Sequence, residues 1–365
     1  MNVPCSPEGL IVLARYACDT LMHKYDAPLL PPEGQFHYHQ GVFLSGVYAT
    51  WRLTGEARYY DYVKAWVDAR VRPDGNIIAF NPGQLDDLQP GVLLFPLYER
   101  TGDARYRLAM DTVAHYINAS PTTPEGGFWH KAWYRNQMWL DGLYMAGPFM
   151  VEYGARFGRP DMIDRALAQA RLMREKTRDP VTGLWQHAWD AERRQDWADP
   201  VTGRSPEFWG RAMGWVPVAL LREAELLPED HPARAPLAGI ACDLLRALLP
   251  WQDASGLWYQ VTDKGGRPEN WLETSCTCLY VAALCMAARL GVMAADEALP
   301  PARRAVSGVV ARLGEDAAGL RIEGVCVGTC VGDYAFYCAR PTGVNDLHGV
   351  GAFLLMCTEA AASGL

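Results

Sequence analysis

Four groups of residues in this chain combine side chains that could do chemistry with surroundings that would change what they do. In Gln137-Met138-Trp139-Leu140-Asp141-Gly142-Leu143-Tyr144 one carboxylate stands among large aromatic and apolar residues. Burial disfavours the charged form of a carboxyl, so Asp141 is expected to have a raised pKa and to act as a proton donor near neutral pH. The plainer reading is an acid in a first helical turn, satisfied by backbone N–H groups. Leu85-Asp86-Asp87-Leu88-Gln89-Pro90-Gly91 offers a second carboxylate. Two carboxyls in one pocket push their pKa values apart, giving an acid and a base or binder. Asp86 is assigned that second place, with Asp87 as its alternative one residue on.

Phe208-Trp209-Gly210-Arg211-Ala212-Met213-Gly214-Trp215 sets a guanidinium among indoles. A planar fork of N–H donors suits a carboxylate, and the indole faces suit stacking on a sugar. The competing reading is a core helix with an Arg at its wet end. His39, His130 and His187 form the fourth group, in stretches read as long loops. They lack the short spacing on one helix face of a zinc set, so hydrogen bonding to sugar hydroxyls is expected rather than metal binding.

The elements that must position these residues are helical. Apolar residues recur at helical spacing over about 6–24, 40–53, 56–70, 88–100, 103–118, 139–157, 160–178, 210–226, 232–250, 273–290, 297–313 and 346–362. Internal repeats group these twelve segments in pairs. Leu53-Thr54-Gly55-Glu56-Ala57-Arg58-Tyr59 recurs as Arg100-Thr101-Gly102-Asp103-Ala104-Arg105-Tyr106 and, more weakly, around Gly158. Each reads as a helix ended by Gly and followed at once by the acidic first turn of the next. A second repeat opens the longer connections: Gly127-Phe128-Trp129-His130, Gly183-Leu184-Trp185-Gln186-His187, Gly256-Leu257-Trp258-Tyr259 and a degraded Gly319-Leu320-Arg321.

Twelve helices with alternating short and long connections predict an all-α (α/α)6 barrel, six inner helices ringed by six outer ones, with the first helix pairing with the last. Asp86, Asp141, Arg211 and Glu273 all fall at or near the start of an inner helix, so they are expected to converge at one mouth. No linker or like-charge block interrupts the 365 residues, so a single domain over 1–365 is expected.

A net charge of −8 with a pI near 5.5 argues against a nucleic-acid partner, which needs a basic face. The longest uncharged run, 274–288, is too short and too polar to span a bilayer. Met1-Asn2-Val3-Pro4-Cys5 shows no basic region leading into an apolar run, so no secretory signal and a cytoplasmic location are expected. Most of the ten Cys lie in apolar helical stretches and read as reduced core thiols. The 13 Trp and 17 Tyr, many in the long loops, fit a carbohydrate pocket.

The segments Gln137 to Met145, Phe208 to Trp215, Leu272-Glu273-Thr274-Ser275 and Asn345-Asp346-Leu347-His348-Gly349-Val350-Gly351-Ala352-Phe353 resemble the unsaturated rhamnogalacturonyl hydrolases of glycoside hydrolase family 105. The resemblance runs from about Tyr38 to Glu359. It implies the (α/α)6 barrel, no metal or organic cofactor, and removal of the terminal unsaturated galacturonic acid from oligosaccharides left by rhamnogalacturonan lyases. It implies Asp141 as general acid and base and Asp86 as the second pocket carboxylate. Tyr38, His130, Lys131, Trp139, His187, Trp209, Arg211 and Trp215 match positions lining the sugar site. Three other readings use the same features: an unsaturated glucuronyl hydrolase of the related family 88, a sugar epimerase on this barrel, and a sugar-binding protein on a hydrolase scaffold. Aglycone preference and oligomeric state have no signal in the sequence.

Overall fold

Leu10, Leu13, Ala14, Ala17, Cys18 and Leu21 recur at helical spacing. In a computed structural model, which describes residues 5–365, they form the buried face of helix α1 (Pro7–Lys24). The reading of the N-terminus as lacking a secretory signal rests largely on residues 1–4, outside the described residues.

The helices that follow are α2 (Tyr38–Thr54), α3 (Ala57–Asp68), α4 (Leu94–Thr101), α5 (Ala104–Ala119), α6 (Asp141–Phe157) and α7 (Pro160–Thr177). Then come α8 (Gly210–Leu226), α9 (Arg234–Leu248), α10 (Thr274–Arg289), α11 (Ala295–Val310), a single turn α12 (Tyr334–Cys338) and α13 (Leu347–Ala362). Helices α2, α4, α6, α8, α10 and α13 form the inner ring, and α3, α5, α7, α9, α11 and α1 lie outside them. The ring closes where α13 packs on both α2 and α1, so the first helix does pair with the last. This is the predicted (α/α)6 toroid. Helices α8 and α10 are buried on nearly every side, as helices apolar all round must be.

The short turns are built as expected: Gly55, Gly102 and Gly158 each end a helix at positive φ, between 66 and 72°. The long-loop repeat has a corrected register. Its positive-φ glycine is Gly126, in line with Gly183 and Gly256, so Phe128 rather than Trp129 is the counterpart of the buried Trp185 and Trp258. The fourth helical segment also begins differently: Leu85–Asp87 and Gln89–Leu93 are 3-10 turns leading into α4. Pro90 has no N–H to give to an α-helical ladder, which shortens the helix expected from residue 88.

Period-two pairing occurs only in short ribbons among the described residues. One matters for the site: β1 (Gln137–Trp139) pairs antiparallel with β2 (Ala188–Asp190), Trp139 opposite Ala188. All ten cysteines are unpaired thiols, seven of them buried. Among the described residues no helix is long and apolar enough to cross a membrane.

Candidate active site

The β1–β2 ribbon fixes the first pair of chemical groups. Strand β1 runs straight into α6, whose first residue is Asp141, and β2 follows directly on His187. The backbone N–H of Leu140 donates to the carbonyl of His187 at 3.0 Å, so the ladder continues past the ribbon. The side chains meet accordingly, His187 Nε2 to Asp141 Oδ2 at 3.0 Å. On its other side His187 Nδ1 lies 2.6 Å from the Tyr337 hydroxyl, which also accepts from the Gly332 N–H.

A second set of backbone bonds brings Asp86 to the same place. The N–H of Leu85 donates to the His130 carbonyl, and Gln84 bridges to Lys131. Asp86 then receives Lys131 Nζ at 2.8 Å, with His130 Nε2 at 3.4 Å and His37 Nε2 at 3.8 Å. Gly142 lets α6 come this close, because a Cβ there would sit 3.0 Å from Leu85 Cδ1. Asp87 faces elsewhere. It accepts from the Asn81 N–H and from Gln84 Nε2, both at 2.8 Å, and burial with Asp86 nearby pushes its carboxyl up to about 7. Of the two neighbours, Asp86 is therefore the one that faces Lys131 and His130.

The electrostatics of Asp141 correct the sequence expectation. Burial does push its carboxyl up, but the hydrogen bond and charge of His187, helped by His130, outweigh burial and hold it below its ordinary value. The aromatic neighbours that suggested a raised pKa were visible in sequence; the histidine facing the carboxylate from 46 residues away was not. Asp86 is likewise pushed up by burial and brought below its ordinary value by His130, Lys131 and His37.

Arg211, second residue of α8, is 2% exposed and lies over Trp209 with its guanidinium carbon 4.5 Å from the ring centroid. It donates to the carbonyls of Cys326 at 2.5 Å and Val327 at 2.9 Å, and its nearest carboxylate is Glu273 at 4.0 Å. Two of its five N–H groups thus hold the segment 326–327. The indoles expected as stacking surfaces are occupied by protein. Trp209 stacks on Tyr337 and Trp215 packs at a tilt against Tyr144, each indole 1% exposed. Glu273 is committed to its own surroundings, accepting from the N–H groups of Cys276 and Cys326 and from the Ser275 hydroxyl. Trp139 stacks on His130 at 4.5 Å, and Tyr38, first residue of α2, lies 6.0 Å from His348.

Sequence reasoning missed Tyr337 and His37, and it named His39, Asp346 and His348 without bringing them together. Tyr337 belongs to the five-residue α12, too short for any period to show. His37, His39, Asp346 and His348 gather between α2 and α13. His39, Asp346 and His348 offer ligand atoms within 4.8 Å of one another, a spacing that raises the question of a metal. His348 Nδ1 lies 2.7 Å from Asp346 Oδ1 and its Nε2 3.1 Å from the Cys326 carbonyl, contacts within the protein that an ion would have to displace. Burial, with His348 beside it, pushes His39 down to about 3, which leaves that ring neutral.

Comparison with known proteins places the chain among glycosidases. The family model for Glycosyl Hydrolase Family 88 matches residues 13–363. An unsaturated rhamnogalacturonyl hydrolase, YesR of Bacillus subtilis, is 30% identical over 256 residues, covering 68% of this chain and 70% of its own. The family 105 glycoside hydrolase of C. acetobutylicum ATCC 824 superposes with a TM-score of 0.90 at 32% identity, over 96% of this chain and 99% of that one. The unsaturated glucuronyl hydrolase of Bacillus sp. GL1 shares the fold, with a TM-score of 0.70 at 15% identity over 94% of each chain.

Proposed function

The chain belongs to Glycosyl Hydrolase Family 88, and from that premise we propose that it removes the terminal C4=C5-unsaturated galacturonic acid from rhamnogalacturonan-derived oligosaccharides. The observation that carries this reading is the pairing of Asp141 with His187 beside a second carboxylate, Asp86, held by Lys131. The similarity to YesR supports the galacturonyl substrate.

The substrate's double bond is an enol ether conjugated to a carboxylate, and its π electrons take a proton at C4. Asp141, in its acid form, delivers that proton, and positive charge develops at C5 and the ring oxygen. Water then adds to C5 while the Asp141 carboxylate takes up its proton, restoring the acid. The hemiketal formed at C5 opens to a ketone, the released C1 hemiacetal collapses to an aldehyde, and the aglycone departs with a proton. No bond forms at C1, so the carboxylate spacing rule for retaining and inverting glycosidases does not govern Asp86 and Asp141. His187 Nε2, 3.0 Å from Asp141 Oδ2, orients that carboxyl. The substrate's own carboxylate, once bound, raises the Asp141 pKa and favours the acid form. Asp86, neutralised by Lys131, is suited to accept hydrogen bonds from sugar hydroxyls.

Asp141→Asn is expected to keep the fold and lose nearly all turnover, by about 10³-fold or more for a group that both gives and takes the proton. Loss of the enoate's ultraviolet absorbance on incubation with unsaturated galacturonyl-rhamnose reads it out, and near-wild-type decay in the variant would remove Asp141 from the mechanism. An unsaturated glucuronyl disaccharide assayed alongside decides the uronic acid, and faster consumption of it would replace the galacturonyl reading.

A further inference from the structure

Four aromatic rings form a continuous ladder from the buried acid centre to solvent. His130, 3.4 Å from Asp86, stacks on Trp139 with centroids 4.5 Å apart and planes 13° from parallel. Trp139 stacks on Tyr134 at 5.0 Å and 18°, and Tyr134 meets Trp133 edge to face at 6.0 Å. Exposure rises along the ladder. Trp139 is 6% exposed, Tyr134 is half-buried, and Trp133 is 56% exposed, an unusual state for the largest apolar side chain.

The outer indole is tied to the site by more than the ladder. Lys131 Nζ, which holds Asp86 at 2.8 Å, lies 5.7 Å from the Trp133 ring centroid. The Cζ3 edge of that ring lies beside Gly83, in the loop that leads into the Asp86 turn. A sugar ring attached to one bound against Asp86 would therefore reach the open face of Trp133.

We infer that Trp133 is the platform for the aglycone, and that it takes an uncharged pyranose presenting a C–H face, such as a deoxyhexose, rather than a sulfated or carboxylated ring. The inference rests on the reading of the site as an unsaturated uronyl hydrolase. Charge around the platform supports the neutral ring. Lys131 is committed to Asp86, while Arg135 and Arg194 both turn to Glu192, at 3.0 and 3.5 Å. With the Lys131 charge met by Asp86, what the platform leaves open is an aromatic face, which favours the apolar face of a sugar.

The test compares three substrates sharing one unsaturated uronic acid: its methyl glycoside, its disaccharide with rhamnose, and its disaccharide with a sulfated hexosamine. Trp133→Ala is expected to lower kcat/KM on the rhamnose disaccharide roughly ten-fold, the worth of about one aromatic contact, and to leave the methyl glycoside within about two-fold. Trp133→Phe is expected to restore most of the loss. An equal loss on disaccharide and methyl glycoside would place Trp133 in the terminal-sugar site or the fold, and no loss on either would leave it no role; both overturn the inference. Better turnover of the sulfated disaccharide by the wild type overturns the neutral-ring assignment. A wild type that consumes none of the three removes the proposed reaction itself, a result visible before any variant is compared.

Discussion

Asp141 carries two opposed influences, burial pushing its carboxyl up and His187 pulling it down, and His187 wins. The consequence for the proposed reaction has a definite sign. The first step needs the acid form, which is populated below the pKa, so kcat/KM should fall as pH rises past it. Replacing His187 by Ala removes the largest influence lowering that pKa. The descending limb of the profile should move to higher pH, while kcat at the new optimum should drop about 10²-fold because the carboxyl loses its orienting partner. A profile of kcat/KM against pH for both proteins checks this, and a limb that stays in place would show that Asp141 is not the group being titrated. Asp141 and Asp86 were legible in sequence because each is a carboxylate at or near the start of an inner helical segment, a local property of the chain. His187 as partner of Asp141, and Tyr337 behind it, were not, since those contacts span 46 and 150 residues.

Helices, by contrast, announced themselves, because the apolar period and the Gly-acid turns are local properties. The pairing of Gly55 with Glu56 and of Gly102 with Asp103 is enough to mark where one helix stops and the next begins. How two helices approach is not local, and the seam that closes the ring shows why. Inner helices α2 and α13 cross at glycines: a Cβ on Gly351 would lie 2.5 Å from the Val42 carbonyl oxygen, and one on Gly46 would lie 2.6 Å from Leu354 Cβ. Backbone cannot yield as a flexible side chain can, so Gly351→Ala must separate the helices. It should lower the unfolding free energy by about 1–3 kcal/mol, the usual range for overpacking a core. Gly239, exposed in α9 with no atom within 4 Å of the place a methyl group would take, should respond the other way. Gly239→Ala should stabilise the protein by about 0.5–1 kcal/mol through helix propensity alone. Urea unfolding of the two variants side by side tests the seam, and equal effects would show that α2 and α13 are not in glycine contact.

At the scale of the whole molecule, some carboxyls are held below their ordinary pKa by their neighbours and others are pushed above it by burial, and the two kinds bend stability in opposite directions with pH. Asp86 and Asp346 face Lys131 and His348; burial pushes both up, but these neighbours bring them below their ordinary values. Their stabilisation is present above the unfolded pKa and is lost as pH falls through the folded one. Glu223, on the inner helix α8, is 1% exposed, and burial raises it well above the ordinary value. Its Oε2 has no hydrogen-bond partner, and its Oε1 approaches so near to Gly147 of α6 that a Cβ there would be 2.1 Å away. It borders a cavity of about 20 Å³ that also touches Trp139 and Gly142, directly under the start of α6. In the unfolded chain a Glu ionises near pH 4.3, while in the ring Glu223 keeps its proton, so the folded state binds one more proton over the interval between. Stability must then fall as pH rises, by at most about 1.4 kcal/mol per unit from this group. Glu223→Gln keeps the shape and removes the proton. The difference in unfolding free energy between variant and wild type should therefore grow in the variant's favour as pH rises above about 4.3, at no more than that slope. Parallel stability curves for the two proteins over that range would mean that Glu223 ionises in the folded ring as freely as it does outside it.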